Sequence, residues 1–420
     1  MHRFFIFLLI FTGISYGLTL DKAMELALKN HPYIKQERAF LQTQRYDYYS
    51  SYGNLLPSVS FNYTYSRYSG YEPDDYFSRS YSIGITWNIY DSGQSIMLTR
   101  IKKYLFSSRK EDFQETVLDI IYQVKKTYYL AAANREIVNV RRTQLKAAEK
   151  NYQMAKKKLR LGLVTKADYL QAKVRYENVR YQLEAAENNY KKSIAELNSL
   201  MGLPLDTDSS PEPDYLKRFE KDHIPPFKTI EEIAFKRPVF RQYNYQLKAA
   251  RMQTLQSMLS FTPSVFLSFS ENRDYNSLYG DSDSYNVTRI GLSWTIFSGL
   301  QRYYNYLSSK ENERYYRYRI QELKRQIRLN LYSYYLDLKS AYRNLDVAKT
   351  LLKEAEENYR QALGEYRAGK GDIISLVTAE SALASAKETY IQSLLNIAVT
   401  RAMMEREMGI KNLSEEGNSR

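Results

Sequence analysis

In four short segments apolar and polar residues alternate with period two. From Ser58 to Tyr65 the odd positions Val59, Phe61, Tyr63 and Tyr65 are apolar or aromatic, and the even ones are Ser, Asn or Thr. Ser80–Ile89 repeats the rule with Tyr81, Ile83, Ile85, Trp87 and Ile89. Later come Val265, Leu267 and Phe269, then Ile290, Leu292, Trp294 and Ile296. Alternation of this kind predicts strands with one oily and one wet face, long enough to cross a bilayer at a tilt. Polar, acidic loops join each pair, Tyr68–Phe77 with Glu72, Asp74 and Asp75, and Asn272–Ser284 with Asp274, Asp281 and Asp283.

The rest of the pattern is helical. Gln94 to Arg160 and Gln301 to Leu363 are long runs whose only glycine or proline lies beyond their ends, which predicts rods of about 100 Å at 1.5 Å per residue. Return helices are expected over 165–201 and 373–408. Their seams are heptad, with Tyr169, Tyr176, Leu183, Tyr190 and Leu197 in one and Leu376, Leu383, Tyr390, Ile397 and Met404 in the other. Single helices are expected over Asp21–Tyr52 and Thr229–Ser260. Adjacent tyrosines such as Tyr128-Tyr129 and Tyr334-Tyr335 do not share a helix face, so they read as packing rather than as a stacking path.

These elements occur twice. Ala148, Glu149, Asn151 and Tyr152 return as Ala355, Glu356, Asn358 and Tyr359, and a shift of about 207 also carries Gly162 onto Gly369, Trp87 onto Trp294 and Met201-Gly202 onto Met408-Gly409. The expected organisation is a first repeat over 18–202, with a β-hairpin at 55–91, a long helix at 94–160 and its return helix. A proline-rich linker follows over 203–228. The second repeat covers 229–410, with a hairpin at 261–298 and a long helix at 301–368, and a polar tail spans 411–420.

Composition narrows the class. The chain has 41 Tyr, no Cys and 26% charged residues, so no disulfide and no lipidated cysteine is available. The formal charge of +14 does not point to nucleic acid, because Lys and Arg interleave with Glu at helical spacing. Residues 1–17, with His2 and Arg3 before the apolar run Phe4–Ile14, read as a signal peptide for export. The catalytic inventory is poor: after residue 17 only His31 and His223 are histidines, and no phosphate loop or paired-histidine spacing occurs. No enzymatic activity, cofactor or metal is expected.

A soluble sandwich could also use alternating strands. The polar faces, however, are Ser, Thr, Asn and Gly rather than Lys and Glu, and aromatic residues such as Phe61, Tyr81, Trp87 and Trp294 stand where an interfacial girdle would. Four strands per chain cannot close a barrel, so the chain is expected to oligomerise in an outer membrane.

The chain resembles the TolC-like outer-membrane efflux protein family over nearly its whole length beyond residue 17. The marks are Leu18-Thr19-Leu20-Asp21-Lys22-Ala23, Leu56-Pro57-Ser58, the strand ends Trp87–Gly93 and Trp294–Gly299, and the tips Leu161–Val164 and Arg367–Asp372. The resemblance implies a mainly α protein with membrane β structure: a homotrimer whose 12-stranded β-barrel continues into a 12-helix periplasmic α-barrel. It also implies an exit duct for small molecules, docked on a periplasmic adaptor and an inner-membrane transporter. A type I protein-secretion duct shares that architecture, and a soluble periplasmic coiled-coil scaffold is a third reading.

Function is expected at the two tips. Gly162 and Gly369 end the long helices, where a left-handed residue is cheap without Cβ. By the family pattern Asp168 and Tyr366 fall on positions that link neighbouring helix pairs in a closed gate. The arginine of that link falls on Gly371, with Arg367 or Lys370 near enough to replace it. The family's constricting acidic ring falls on Ser375 and Thr378, which leaves Asp372 either as a gate residue or as a helix cap. Leu161, Leu163, Val164, Thr165 and Gly371 are the expected adaptor contacts.

Overall fold

The computed structural model describes residues 17–70, 75–221 and 224–412. The expected signal peptide, Glu72 and Asp74 of the first loop, His223 and most of the polar tail lie outside these residues. The described residues form two compact units, one within 17–35, 116–237 and 327–412, the other within 36–115 and 238–326.

The second of these units contains the strands. β1 (Ser58–Tyr68), β2 (Tyr76–Asp91), β3 (Ser264–Asn276) and β4 (Asp281–Ser293) form one antiparallel sheet in the order β1-β2-β3-β4. The two hairpins are therefore joined edge to edge through β2 and β3, with Trp87 opposite Leu267 and Ile85 opposite Phe269. Two expectations change here. The polar stretch 272–284 is mostly strand, with a turn only at 277–280, because its alternation continues through residues without hydrophobic contrast. And β4 stops at Ser293, short of Trp294 and Ile296, because its partner β3 begins at Ser264 after Pro263, which has no N–H to give a ladder. β2 runs on to Asp91 against β3 through a bulge between Asn88 and Tyr90.

Helices α2 (Pro32–Ser50) and α6 (Pro238–Leu259) and the first parts of α3 (Gln94–Arg160) and α7 (Gln301–Arg367) complete this unit. Short turns deliver the strands into the long helices. Ser92 and Gly93 take positive φ, and the Asp91 carboxylate caps α3 by accepting from the N–H of Ser95 at 2.8 Å. The N-terminus of α6 is capped from another element, the Glu115 carboxylate of α3 accepting from the N–H of Val239 at 2.9 Å.

The other unit is helical: α1 (Leu20–Asn30), α4 (Lys166–Met201), α5 (Phe227–Ala234), α8 (Ile373–Met408) and the remaining lengths of α3 and α7. Where one helix was expected over 21–52 and one over 229–260, each is broken before a proline, at Pro32 and at Pro238, where the preceding residue is forced from the helical region. His31 turns the break into a cap, its Nδ1 accepting from the N–H of Tyr33 at 3.1 Å. The segment expected as a linker is ordered from Leu203 to Lys221. It carries a short 3₁₀ helix at Tyr215–Lys221 that buries Leu216 and Phe219, and Phe219 meets Tyr129 edge-on.

The seam of α4 also differs from the expected one. The fully buried heptad line is Ala172, Val179, Ala186 and Ser193, while of the expected line Tyr169, Tyr176, Leu183 and Tyr190 are half-buried beside it and Leu197 is fully buried. Small residues let the helix axes approach closely, and the bulky rings close the flanks. α8 is buried over more of its circumference, including the ion pairs Lys125–Glu405 at 2.6 Å and Arg237–Glu407 at 3.2 Å.

Helix lengths repeat with the sequence. α3 and α7 both have 67 residues, and α4 and α8 both have 36. All four end on a left-handed glycine: Gly162, Gly202, Gly369 and Gly409. Behind each the same pair of hydrogen bonds returns, as in Leu203 N–H to Asn198 O at 2.9 Å and Gly202 N–H to Ser199 O at 3.1 Å. At Gly162 a Cβ would meet nothing within 4 Å, whereas at Gly202 it would stand 3.0 Å from Asn30 Cβ. Gly162→Ala should therefore cost only its backbone strain, about 1–2 kcal/mol, and Gly202→Ala clearly more. Thermal unfolding followed by circular dichroism should place the second variant's midpoint below the first.

Candidate functional site

The tips of the two helical hairpins pack on each other. Ala155, Ala172, Tyr366, Ile373 and Leu376 form a buried cluster, with Tyr152, Met154, Tyr359, Ala362, Leu363 and Val377 around it. Around this plug the expected site residues divide by role.

Asp168 and Asp372 both cap helices. Thr165 is the N-cap of α4, and its N–H and hydroxyl donate to Asp168 Oδ2 at 2.9 and 2.8 Å while Asp168 N–H donates back to Thr165 Oγ1 at 3.2 Å. Asp372 is the N-cap of α8, accepting from Ser375 N–H at 2.7 Å and from the Ser375 hydroxyl at 2.9 Å. Those hydrogen bonds favour the charged form and hold the Asp372 carboxyl below its ordinary value. Gly162 and Gly369 are the left-handed residues after α3 and α7, with φ of 70° and 77°. Gly371 sits tight behind the second tip, donating to Glu365 O at 3.1 Å, and a Cβ there would be 3.0 Å from Glu365 Cβ.

Tyr366 is the buried centre of the tip, 2% exposed. Its hydroxyl has no hydrogen-bond partner in the described chain, and burial, with the charge of Asp168 behind it, pushes the phenol upward. The cation that meets it comes from the other hairpin. Lys158 donates to the Tyr366 carbonyl at 2.8 Å and lies over the ring at 4.1 Å. Arg367 and Lys370, the residues expected to stand in for the arginine missing at Gly371, are both exposed. Lys158 was readable only as one of three basic residues in the last turn of α3, which complement the helix C-terminus.

One turn above the plug is a buried polar group that the sequence did not single out. Glu380 of α8, 4% exposed, accepts from Asn151 Nδ2 of α3 at 3.1 Å and from Arg175 Nε of α4 at 3.2 Å. Three helices are tied through one carboxylate. Burial raises its pKa and outweighs the lowering by Arg175 and Asn151. The repeat does not reproduce this group. Asn151 is buried but its copy Asn358 is exposed, and a shift of about 207 places Lys173 opposite Glu380 and Ala382 opposite Arg175.

Exposed residues make up the outer face of the tips. Leu161 and Leu163 are 72% and 68% exposed, Val164 is half-buried, and Ser375 and Thr378 lie exposed one helical turn apart on α8. At the sheet, Phe61, Tyr81 and Trp87 are exposed on the apolar face. Both indoles are anchored alike: Trp87 Nε1 donates to Leu55 O at 3.1 Å, and Trp294 Nε1 to Phe261 O at 3.0 Å. Among the described residues no acidic or histidine cluster could hold a metal ion, and no helix is long and apolar enough to cross a membrane.

Comparison with known proteins gives the same division of the chain. The profile of the outer membrane efflux protein family matches residues 23–203 and again 229–409, one match per repeat. Protein CyaE of Bordetella pertussis is 22% identical over 382 residues, covering 89% of this chain and 80% of the relative. Outer membrane protein TolC of Escherichia coli is 18% identical, covering 96% and 84%. The Campylobacter jejuni CmeC outer membrane channel superposes with a TM-score of 0.80 at 17% identity, over 93% of this chain and 85% of that one. With both repeats matched, the chain belongs to the outer membrane efflux protein family, and it is an outer-membrane exit duct for efflux pumps.

Proposed function

We propose that three copies of the chain close into one duct, a twelve-stranded barrel in the outer membrane continuous with a tube of α3, α4, α7 and α8 from each copy in the periplasm. The observation that carries this reading is the open four-stranded sheet, apolar on one face and small and polar on the other, with β1 and β4 unpaired at its edges. Unpaired edges are not tolerated in lipid. Eight strands would make a barrel filled by its own side chains, whereas twelve leave a lumen for the row of Ser, Thr and Asn to line. The helices support the same closure. Leu329, Tyr332, Leu336, Val347 and Leu351 form an exposed apolar stripe along α7, as do Leu170, Val174 and Tyr181 along α4. Neighbouring copies would cover both.

The tips are then the gate and the docking end. Leu161, Leu163 and Val164 offer an apolar knob to a periplasmic adaptor, which couples the duct to an inner-membrane transporter of small molecules. Lys158 on Tyr366 latches one hairpin to the other within each copy, with the Tyr366 hydroxyl buried in the plug. Asp168, Asp372 and Thr165 set the helix starts, and Ser375 and Thr378 line the mouth without the charge of an acidic ring. Gly369, Lys370 and Arg367 complete the second tip.

The reading is tested by oligomer mass in detergent and by conductance in planar bilayers; a monomer without conductance would overturn it. Val347→Glu places a charge in the exposed stripe, so it should abolish the trimer while the monomer's fold stability changes by less than about 0.5 kcal/mol. Lys158→Ala removes the latch and should shift the gate toward open by about tenfold, taking a cation–π contact of roughly 1–2 kcal/mol, and Lys158→Arg should restore closure. A closed, wild-type conductance in Lys158→Ala trimers would sink the latch. Glu380 supplies a pH dependence. Its folded pKa lies above the unfolded value, so its stabilisation is present below the ordinary glutamate range and is lost as pH rises through the raised value. Protection factors at α4 and α8, exchange rates divided into their intrinsic values at each pH, should rise on acidification through that window in the wild type and stay flat in Glu380→Gln.

A further inference from the structure

The apolar face of the sheet ends in arginine on three successive strands. On β1 the outward series Val59, Phe61, Tyr63, Tyr65 is closed by Arg67. On β2 the series Trp87, Ile85, Ile83, Tyr81 is closed by Arg79. On β3, Val265, Leu267 and Phe269 lead through Glu271 to Arg273. The register places these arginines on one face in a diagonal stripe: Arg67 faces Phe77, Arg79 lies between Tyr65 and Tyr275, and Arg273 faces Tyr81.

The stripe has a floor. Tyr65, Phe77 and Tyr275 pack ring to ring across three strands, with centroids 5.9 and 5.6 Å apart. The Arg79 guanidinium lies 4.7 Å over the Phe77 ring, which fixes its plane while its N–H groups stay exposed. At the flanks, Arg67 is 3.5 Å from Asp75, and Arg273 is 3.1 Å from Glu271 and donates to the Tyr81 hydroxyl at 3.4 Å. No carboxylate pairs with Arg79 among the described residues. Among the described residues it is the stripe's charge without a carboxylate partner, set among tyrosine hydroxyls.

Height decides what can reach it. Eight residues separate Trp87 from Arg79, about 27 Å along a strand at 3.4 Å per residue. With the tilt of a membrane strand this becomes about 20 Å along the normal, close to the height of an apolar band of roughly 25 Å. Arg79 therefore emerges at the outer headgroup level if the Trp87 end marks the inner interface, which rests on the barrel reading above. We infer that Arg79, with Arg67 and Arg273 beside it and the Tyr65–Phe77–Tyr275 floor beneath, is a binding site for the phosphate of an outer-leaflet lipid. A planar guanidinium matches phosphate oxygens in pairs, and the apolar strand positions below it receive the acyl chains. A soluble anion would gain nothing from that apolar wall, so the ligand is a phospholipid or phosphoglycolipid in the bilayer.

The test uses the full-length oligomer purified in detergent, with lipid A as the probe and native mass spectrometry as the readout. Wild type should retain lipid A in preference to its dephosphorylated form. Arg79→Gln should weaken retention about tenfold, the loss of one charge-assisted pair, and Arg79→Lys should recover part of it. Arg289→Gln, on the opposite face of the same sheet, should leave retention unchanged. Equal retention by wild type and an intact Arg79→Gln oligomer overturns the site, as does displacement of the lipid by inorganic phosphate alone. Failure of the barrel reading would show separately, as protein that does not fractionate with membranes.

Discussion

A strand edge cannot be left open in hydrocarbon. Each unpaired N–H or C=O there costs several kcal/mol, because no water replaces the missing partner. The sheet of this chain has two such edges, on β1 and β4, and this one deficit organises much else. Under the proposed closure it gives a reason for the apolar stripes on α4 and α7, which copies joined at their strands would cover. The duplication supplies two hairpins per chain, and β2 against β3 fuses them into one four-stranded sheet rather than separate ribbons.

Much of this was legible because it is local. Period-two alternation marks β1 and β2, and Gly162 and Gly369 mark the tips, since both signals are carried by residues within a few positions of one another. What the sequence hid is mostly long-range. Lys158 meets Tyr366 across 208 residues, and Glu380 meets Asn151 across 229. Nothing near either residue announces its partner. Asn151 and Asn358 even look equivalent, yet one is buried on a carboxylate and the other is exposed. Phe266 was a different omission. It lies on the polar face, against the rule of its strand, because its ring covers the surface left bare by Gly291 opposite. The helix breaks at Pro32 and Pro238 were written plainly in the prolines but were overridden by the helical patterns on either side.

The tip illustrates how a duplicated unit acquires a difference between its copies. The backbone frame is the same in both: a left-handed glycine, a capping aspartate and an equal return helix. The side chains that join the two hairpins are not. Lys158 lies on one and Tyr366 on the other, and Arg175 and Glu380 have no charged pair at the related positions. Such one-sided contacts hold the two hairpins together without making them interchangeable. A frame that is symmetric and a latch that is not is a workable basis for one pair moving while the other stays.

The equal lengths of α3 and α7, and of α4 and α8, set a rule for how such a chain can change over time. The tips meet in one plug, so a heptad inserted into one long helix would lift its glycine turn about 10 Å past its neighbour and empty the plug. Its own return helix would need the same insertion, and so would both helices of the other repeat. Four matched insertions in one gene are rare. The reach of this molecule is therefore a nearly frozen character, and adjustment to a wider or narrower compartment falls more easily to whatever meets its tips.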